Sequence, residues 1–139
     1  MEKKRILIVD DEVGAARLLK SNLEQTGNYE ARVENAPEDA VAAAREFKPN
    51  LVLLDILMPR MPGGDVVAAF EADPQLKDTP IVFLTAAVGR HQVEDHHGII
   101  CDHPCLAKPA SVEEIVRCIE ENISRHTWSE WSADLGKPT

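Results

Sequence analysis

Short unbroken apolar runs alternate along this chain with stretches whose apolar residues recur at helical spacing. Ile6–Val9 is one such run. Behind it Val13, Ala16, Leu19 and Leu23 share a helical face, and Gly27 closes the segment. Tyr29, Ala31 and Val33 then alternate with polar neighbours, the period of a strand with one wetter face. Pro37 suits a first helical turn, Ala40, Ala44 and Phe47 line one side, and Pro49 stops that helix. Leu51–Leu54 is the next apolar run. Gly63 and Gly64 lead into a short helix with Val66, Val67 and Phe70, which ends at Asp73-Pro74. The run 80-PIVFLT-85 reads as a third buried strand. The segment 86–103 shows little periodicity and holds four of the five histidines. A short strand over Pro104–Ala107 follows, and Ser111 with Glu114 makes a capping box. That box opens a helix with Val112, Ile115, Val116, Ile119 and Ile123 on one side. Residues 125–139 carry no clear core pattern.

Five strand–helix units, with the fourth helix expected within the poorly periodic 86–100, predict an α/β fold of (βα)₅ type. Strands that are apolar almost throughout must be covered on both faces, which a parallel sheet between two helix layers provides. Right-handed crossovers make that sheet doubly wound, and sites in such sheets lie at the carboxyl ends of the strands. The expected organisation is one domain over residues 1–124 and a tail over 125–139, too short to fold as a separate effector domain.

Composition narrows the function classes. The 139 residues are 44% hydrophobic and 28% charged, with a formal charge of −9. An acidic chain lacks the basic face that direct DNA binding or docking on an anionic membrane requires. No apolar run approaches the ~20 residues of a membrane span. The start, 1-MEKKRILIVDDE-12, has four consecutive apolar residues, short of the roughly 7–15 of a secretory signal. Cys101, Cys105 and Cys118 show no CxxC spacing, so a reduced, cytoplasmic setting is expected.

The chemistry is concentrated where the predicted strands end. The first strand runs into Asp10-Asp11-Glu12, the third into Asp55, the fourth ends at Thr85, and the last runs into Lys108-Pro109. In a parallel sheet all four ends face one crevice. Asp55 thus belongs at the exit of its hydrophobic run. Like-charged carboxylates at ~4 Å repel by about 1 kcal/mol in water and ~4 kcal/mol at an effective dielectric of 20. A lysine or a hard cation such as Mg²⁺ can offset that repulsion, with Mn²⁺ as a substitute. Relief of the repulsion is also expected to raise the melting temperature of Asp10→Asn and Asp55→Asn variants when Mg²⁺ is absent.

Asp10-Asp11, Asp55-x-x-Met58-Pro59, Thr85-Ala86 and Lys108-Pro109, in this order and spacing, resemble the receiver domain of two-component response regulators. The resemblance covers residues ~5–124 and rests on four motifs at four strand ends. It implies the flavodoxin-like strand order 2-1-3-4-5, with helices on both faces of a five-stranded sheet. It implies that Asp55 accepts a phosphoryl group from a histidine kinase or a histidine phosphotransfer protein. Asp11, Asp55 and the carbonyl of Leu57 would hold Mg²⁺, and Asp10 would hold it through water. Lys108 would contact the phosphoryl oxygens, and Thr85 would turn inward to hydrogen-bond the phosphorylated Asp55. A cis bond between Lys108 and Pro109 is expected on the same ground. Output would then pass by contact with a downstream protein, and dimerisation on phosphorylation is compatible with the pattern. The implied role is self-phosphorylation without turnover.

The sequence also departs from that family. Receivers usually carry Tyr or Phe three residues before the lysine, where this chain has Cys105; either the signal leaves by another route, through the segment 86–100, or, the favoured reading, Cys105 is a tolerated substitution and Thr85 still moves. Leu57 and Ala87, two residues past Asp55 and Thr85, cannot hydrogen-bond an attacking water, which predicts slow self-dephosphorylation. Leu57 also weighs against an aspartyl-phosphate phosphatase, which would need an acid there. A pseudo-receiver scaffold that ignores phosphate is the other alternative, disfavoured because all five site residues are present. The segment 96-HHGIICDHPC-105 contains soft-metal ligands at no standard zinc spacing. Trp128 and Trp131 either cap the last helix or meet a partner. Gly63-Gly64 reads as turn chemistry, and with neither GxxxxGK[ST] nor GxGxxG, nucleotide binding is not expected.

Overall fold

The computed structural model describes residues 3–55, 63–85, 99–100, 103–108 and 110–136; for 63, 64, 85, 99, 100, 103 and 125–136 it describes the backbone alone. The chain forms β1 (Lys4–Val9), α1 (Val13–Gln25), β2 (Tyr29–Glu34), a 3-10 turn (Pro37–Asp39), α2 (Ala40–Phe47) and β3 (Leu51–Leu54). It continues with α3 (Gly63–Glu71), β4 (Ile81–Thr85), β5 (Ile99–Ile100), β6 (His103–Ala107) and α4 (Val112–Gly136). The sheet order is β2-β1-β3-β4-β6-β5. Its first five members are parallel, in the order expected from the sequence. Ile99–Ile100 adds a two-residue antiparallel piece on the outer edge of β6, in register with Pro104 and His103. So short a pairing has no periodicity to betray it in sequence.

Alternate strand residues enter opposite cores. Leu7, Val9, Val52, Leu54 and Phe83 pack with α2 and α3 through Ala40, Ala43, Ala44, Val66, Val67 and Phe70. Ile6, Ile8, Leu51, Leu53, Val82 and Leu84 pack with α1 and α4 through Ala16, Leu23, Ile115 and Ile119. Every residue of β3 is buried. At about 1.5–3 kcal/mol for each fully buried aliphatic side chain, this double coverage explains why the central strands have no polar face.

Local chemistry sets the helix ends. Gly27 follows α1 at φ 85°, a conformation that costs glycine little. Lys48 ends α2 at φ 54°, and Arg5 Nε donates to the carbonyls of Phe47 and Lys48 at 3.0 and 2.8 Å. The capping box holds: Glu114 N–H donates to Ser111 Oγ at 3.1 Å, and Ser111 N–H reaches Glu114 Oε1 at 3.4 Å. From there α4 runs through residues 125–136, where the sequence showed no core pattern. Neither glycine nor proline interrupts it before Gly136. Among the described residues no helix is long and apolar enough to cross a membrane.

Candidate functional site

The register brings the strand ends to one edge. Val9 pairs with Leu54, Leu54 with Phe83, and Thr85 with Ala107. Asp10, Asp55 and Lys108 each leave a strand at that edge. Two backbone bonds extend the ladder by one residue and set the acids in place: Asp10 N–H donates to Glu34 O at 3.2 Å, and Asp55 N–H to Val9 O at 3.0 Å.

Asp10 and Asp55 are buried, at 6% and 8% exposure, while Asp11 is half-buried. One carboxylate oxygen from each of the three lies within 4.8 Å of the other two. Lys108 Nζ donates to Asp10 Oδ2 at 2.8 Å and stands 3.6 Å from Asp55 Oδ2. The other oxygen of Asp10, Oδ1, accepts the Glu12 N–H at 2.9 Å. Burial alone would lower the lysine's pKa, but the hydrogen bond to Asp10 and the charges of Asp10, Asp55 and Glu12 outweigh it, so the pKa is raised. The ammonium is therefore held charged.

The donor set suits a small hard cation. Three carboxylates offer oxygen ligands only, and oxygens at ~2.1 Å from one Mg²⁺ stand ~3–4 Å apart. The three carboxylates, within 4.8 Å of one another, could serve such an ion. Leu57, the expected carbonyl ligand, lies outside the described residues, as do Ala87, Pro109 and its peptide bond, and Cys101.

Thr85 closes β4 one register step beyond the acids, and its hydroxyl lies outside the described side chains. Cys105 is buried in the core shared with α2 and α3, at 3% exposure. Burial pushes its thiol up to about 11, so it stays neutral. It sits level with Phe83 and Leu54, inside the sheet. Cys118 is half-buried on α4. In the segment 96–105, residues 99–100 and 103–105 are described; the side chains of Trp128 and Trp131 are outside the description.

Two features escaped the sequence reading. Asn35 Nδ2 donates to the backbone carbonyl of Asp10 at 2.8 Å; a lone polar residue after a strand gave no signal. The second is a largely apolar groove of about 430 Å³ beside the acids, lined by Leu18, Leu19, Leu84, Val112 and Ile115 together with Asp10 and Lys108. Leu18, at 63% exposure, and Val13, at 45%, stand open on α1. A second hollow, about 460 Å³, lies by Arg45, Lys48, Pro49 and Thr79, at the amino ends of β3 and β4 and away from the acids.

Comparison with known proteins gives the family and the fold. The family model for the response regulator receiver domain matches residues 6–120. The DNA-binding response regulator MtrA of Mycolicibacterium paratuberculosis is 40% identical over 84 residues, 60% of this chain and 36% of that protein. The probable transcriptional regulator ycf27 of Cyanophora paradoxa is 37% identical over 86 residues, 62% of this chain and 34% of its own length. The chain thus spans about a third of the length of these curated relatives, and their names describe those whole proteins. Among solved structures, chemotaxis protein CheY4 of Vibrio cholerae superposes with a TM-score of 0.74 at 24% identity, over 87% of this chain and 99% of that one. At that identity the likeness is one of fold. The signal receiver domain of a histidine kinase from Syntrophus aciditrophicus gives 0.71 at 27% identity, over 87% and 90%. With the family model spanning both strand-end acids and the lysine, the chain belongs to the receiver domains of two-component response regulators.

Proposed function

We propose that Asp55 is a phosphoacceptor and that the chain works as a Mg²⁺-dependent switch in a phosphorelay. The observation that carries this reading is the placement of Lys108 Nζ 3.6 Å from Asp55 Oδ2, in a cluster with Asp10 and Asp11. In the transfer an Asp55 oxygen attacks phosphorus in line. The phosphorus–nitrogen bond of the donor phosphohistidine breaks, and its electron pair leaves with the imidazole nitrogen, which takes up a proton. Lys108 meets the negative phosphoryl oxygens without giving up its proton, in keeping with its raised pKa. A divalent cation bound by Asp11 and Asp55, with the Leu57 carbonyl and with Asp10 through water, would neutralise charge on the phosphoryl oxygens. Thr85 would then bond the phosphorylated Asp55 and pass the signal on, with Cys105 as a passive core residue.

The donor is a protein: a histidine kinase or a histidine phosphotransfer protein. The apolar groove beside Asp10 and Lys108, with Val13 and Leu18 exposed on α1, offers such a partner a surface contiguous with the acceptor. The chain takes phosphoryl onto itself and is not a turnover enzyme. Its −9 charge still argues against a direct DNA contact by these residues. A cytoplasmic setting agrees with a kinase donor.

The deciding experiment is intact-mass spectrometry after incubation with acetyl phosphate and Mg²⁺, on wild type and Asp55→Asn. One phosphoryl adduct on wild type alone, lost when Mg²⁺ is chelated first, is the expected result. An adduct that survives in Asp55→Asn would refute Asp55 as acceptor, and no adduct from acetyl phosphate or a panel of kinases would favour a phosphate-blind scaffold.

A further inference from the structure

All four polar groups of Asp10 are engaged. Its N–H donates to Glu34 O at 3.2 Å, Oδ1 accepts Glu12 N–H at 2.9 Å, and Oδ2 accepts Lys108 Nζ at 2.8 Å. The fourth, the backbone carbonyl, accepts Asn35 Nδ2 at 2.8 Å. Only the amide NH₂ end of Asn35 can make this bond, because a carbonyl only accepts.

Asn35 is well placed to hold that carbonyl still. It leaves the end of β2, and both its neighbours are tied down: Glu34 Oε2 accepts the Ala36 N–H at 3.2 Å, and Pro37 is buried at the start of the 3-10 turn. The Asp10 carbonyl and the Asp11 N–H belong to one rigid peptide plane. Fixing the first therefore fixes the direction in which Asp11 leaves the strand. Asp11 is the least buried of the three acids. Its carboxylate must nonetheless come within 4.8 Å of the other two for one cation to meet all three.

We propose that Asn35 is a positioning residue for the cation site, acting through the Asp10–Asp11 peptide. The proposal rests on the reading of the acid cluster as a Mg²⁺ site. An asparagine serves here where an acid would not: aspartate has the same shape but cannot donate to the carbonyl, and it adds a fourth negative charge. These two consequences oppose each other in their effect on cation affinity, and that makes the proposal testable.

The test is calorimetric titration of Mg²⁺ into the full chain, as wild type, Asn35→Ala, Asn35→Asp and Asn35→His, with folding checked by circular dichroism. Loss of one net hydrogen bond corresponds to about a 2- to 10-fold rise in Kd. That rise is expected for Asn35→Ala and also for Asn35→Asp, despite its added negative charge. Asn35→His, which keeps a donor at comparable reach, is expected to stay close to wild type. Unchanged affinity in Asn35→Ala, or tighter binding in Asn35→Asp, overturns the positioning role and leaves the Mg²⁺ site standing. A wild type that takes up no Mg²⁺ overturns both.

Discussion

Lys108 Nζ is bonded to Asp10 Oδ2 at 2.8 Å and stands 3.6 Å from Asp55 Oδ2. The lysine therefore neutralises one member of the acid cluster more than the other. Asp10 receives the ammonium and the Glu12 N–H together, and the Asp55 side chain remains beside both other carboxylates.

This asymmetry separates two variants that charge counting treats alike. Asp55→Asn removes a repelling charge, gives up the longer 3.6 Å approach to Lys108 and leaves the Lys108–Asp10 bond intact, so its melting temperature without Mg²⁺ is expected to exceed wild type, by about 1–3 kcal/mol in stability. Asp10→Asn relieves the same repulsion but loses the ionic bond to Lys108, so it is expected to gain less. Thermal unfolding of both variants with and without Mg²⁺ checks this. Equal stabilisation of the two would show that the 2.8 Å pair contributes no more than the 3.6 Å one.

On the proposed function, Leu57 bears on how long the signal lasts. An apolar residue two positions past the proposed acceptor, Asp55, offers no group to orient water, so a phosphorylated chain is expected to persist for hours. Leu57→Glu is expected to shorten that lifetime by roughly 10-fold or more, since an oriented general base typically contributes ~10²-fold or more; Leu57→Asn, which can hydrogen-bond the water but not take its proton, is expected to shorten it less. Loss of the adduct followed by intact mass gives the rate directly. Identical lifetimes in wild type and both variants would discard the assignment.

Asp73 supplies a pH dependence away from the site. Its carboxylate is buried and accepts the Gln75 N–H at 2.8 Å and Arg45 Nε at 2.6 Å. The Gln75 N–H bond lowers its pKa; burial opposes this, and Arg45 lowers it further. A depressed folded-state pKa means stability that is complete above the ordinary value of 3.8 and is lost as pH falls through the lower folded value. Asp73→Asn is therefore expected to be less stable than wild type at neutral pH, with the gap closing in acid. A gap that stays constant down to pH 2 would contradict this origin.

Lys48 occupies the left-handed region at φ 54°, where a side chain costs about 1 kcal/mol relative to glycine. Lys48→Gly is expected to stabilise the chain by ~0.5–1 kcal/mol in urea unfolding, because Arg5 bonds the backbone carbonyl of residue 48 and not its side chain. A destabilised variant would point to a tertiary role for the lysine side chain.

The sequence alone determined the doubly wound architecture and the meeting of Asp10, Asp55 and Lys108 at one edge. The reason is periodicity: strands apolar throughout must be sandwiched between helices, and parallel strands bring their ends together. The Ser111–Glu114 cap was equally legible, being a local contact three residues long. Residues 125–136 carry no such mark, since helix continuation there needs no apolar pattern and only the absence of a stop. What tertiary structure decided were the pairings between elements far apart in the chain. Which acid Lys108 bonds depends on side-chain reach across 98 residues. That Asn35 seizes the Asp10 carbonyl depends on where β2 ends beside β1. That Cys105 lies buried level with Phe83 depends on the register of β6 against β4. Register and side-chain direction arise only once the layers have packed, so a one-dimensional pattern locates the site without specifying the bonds inside it.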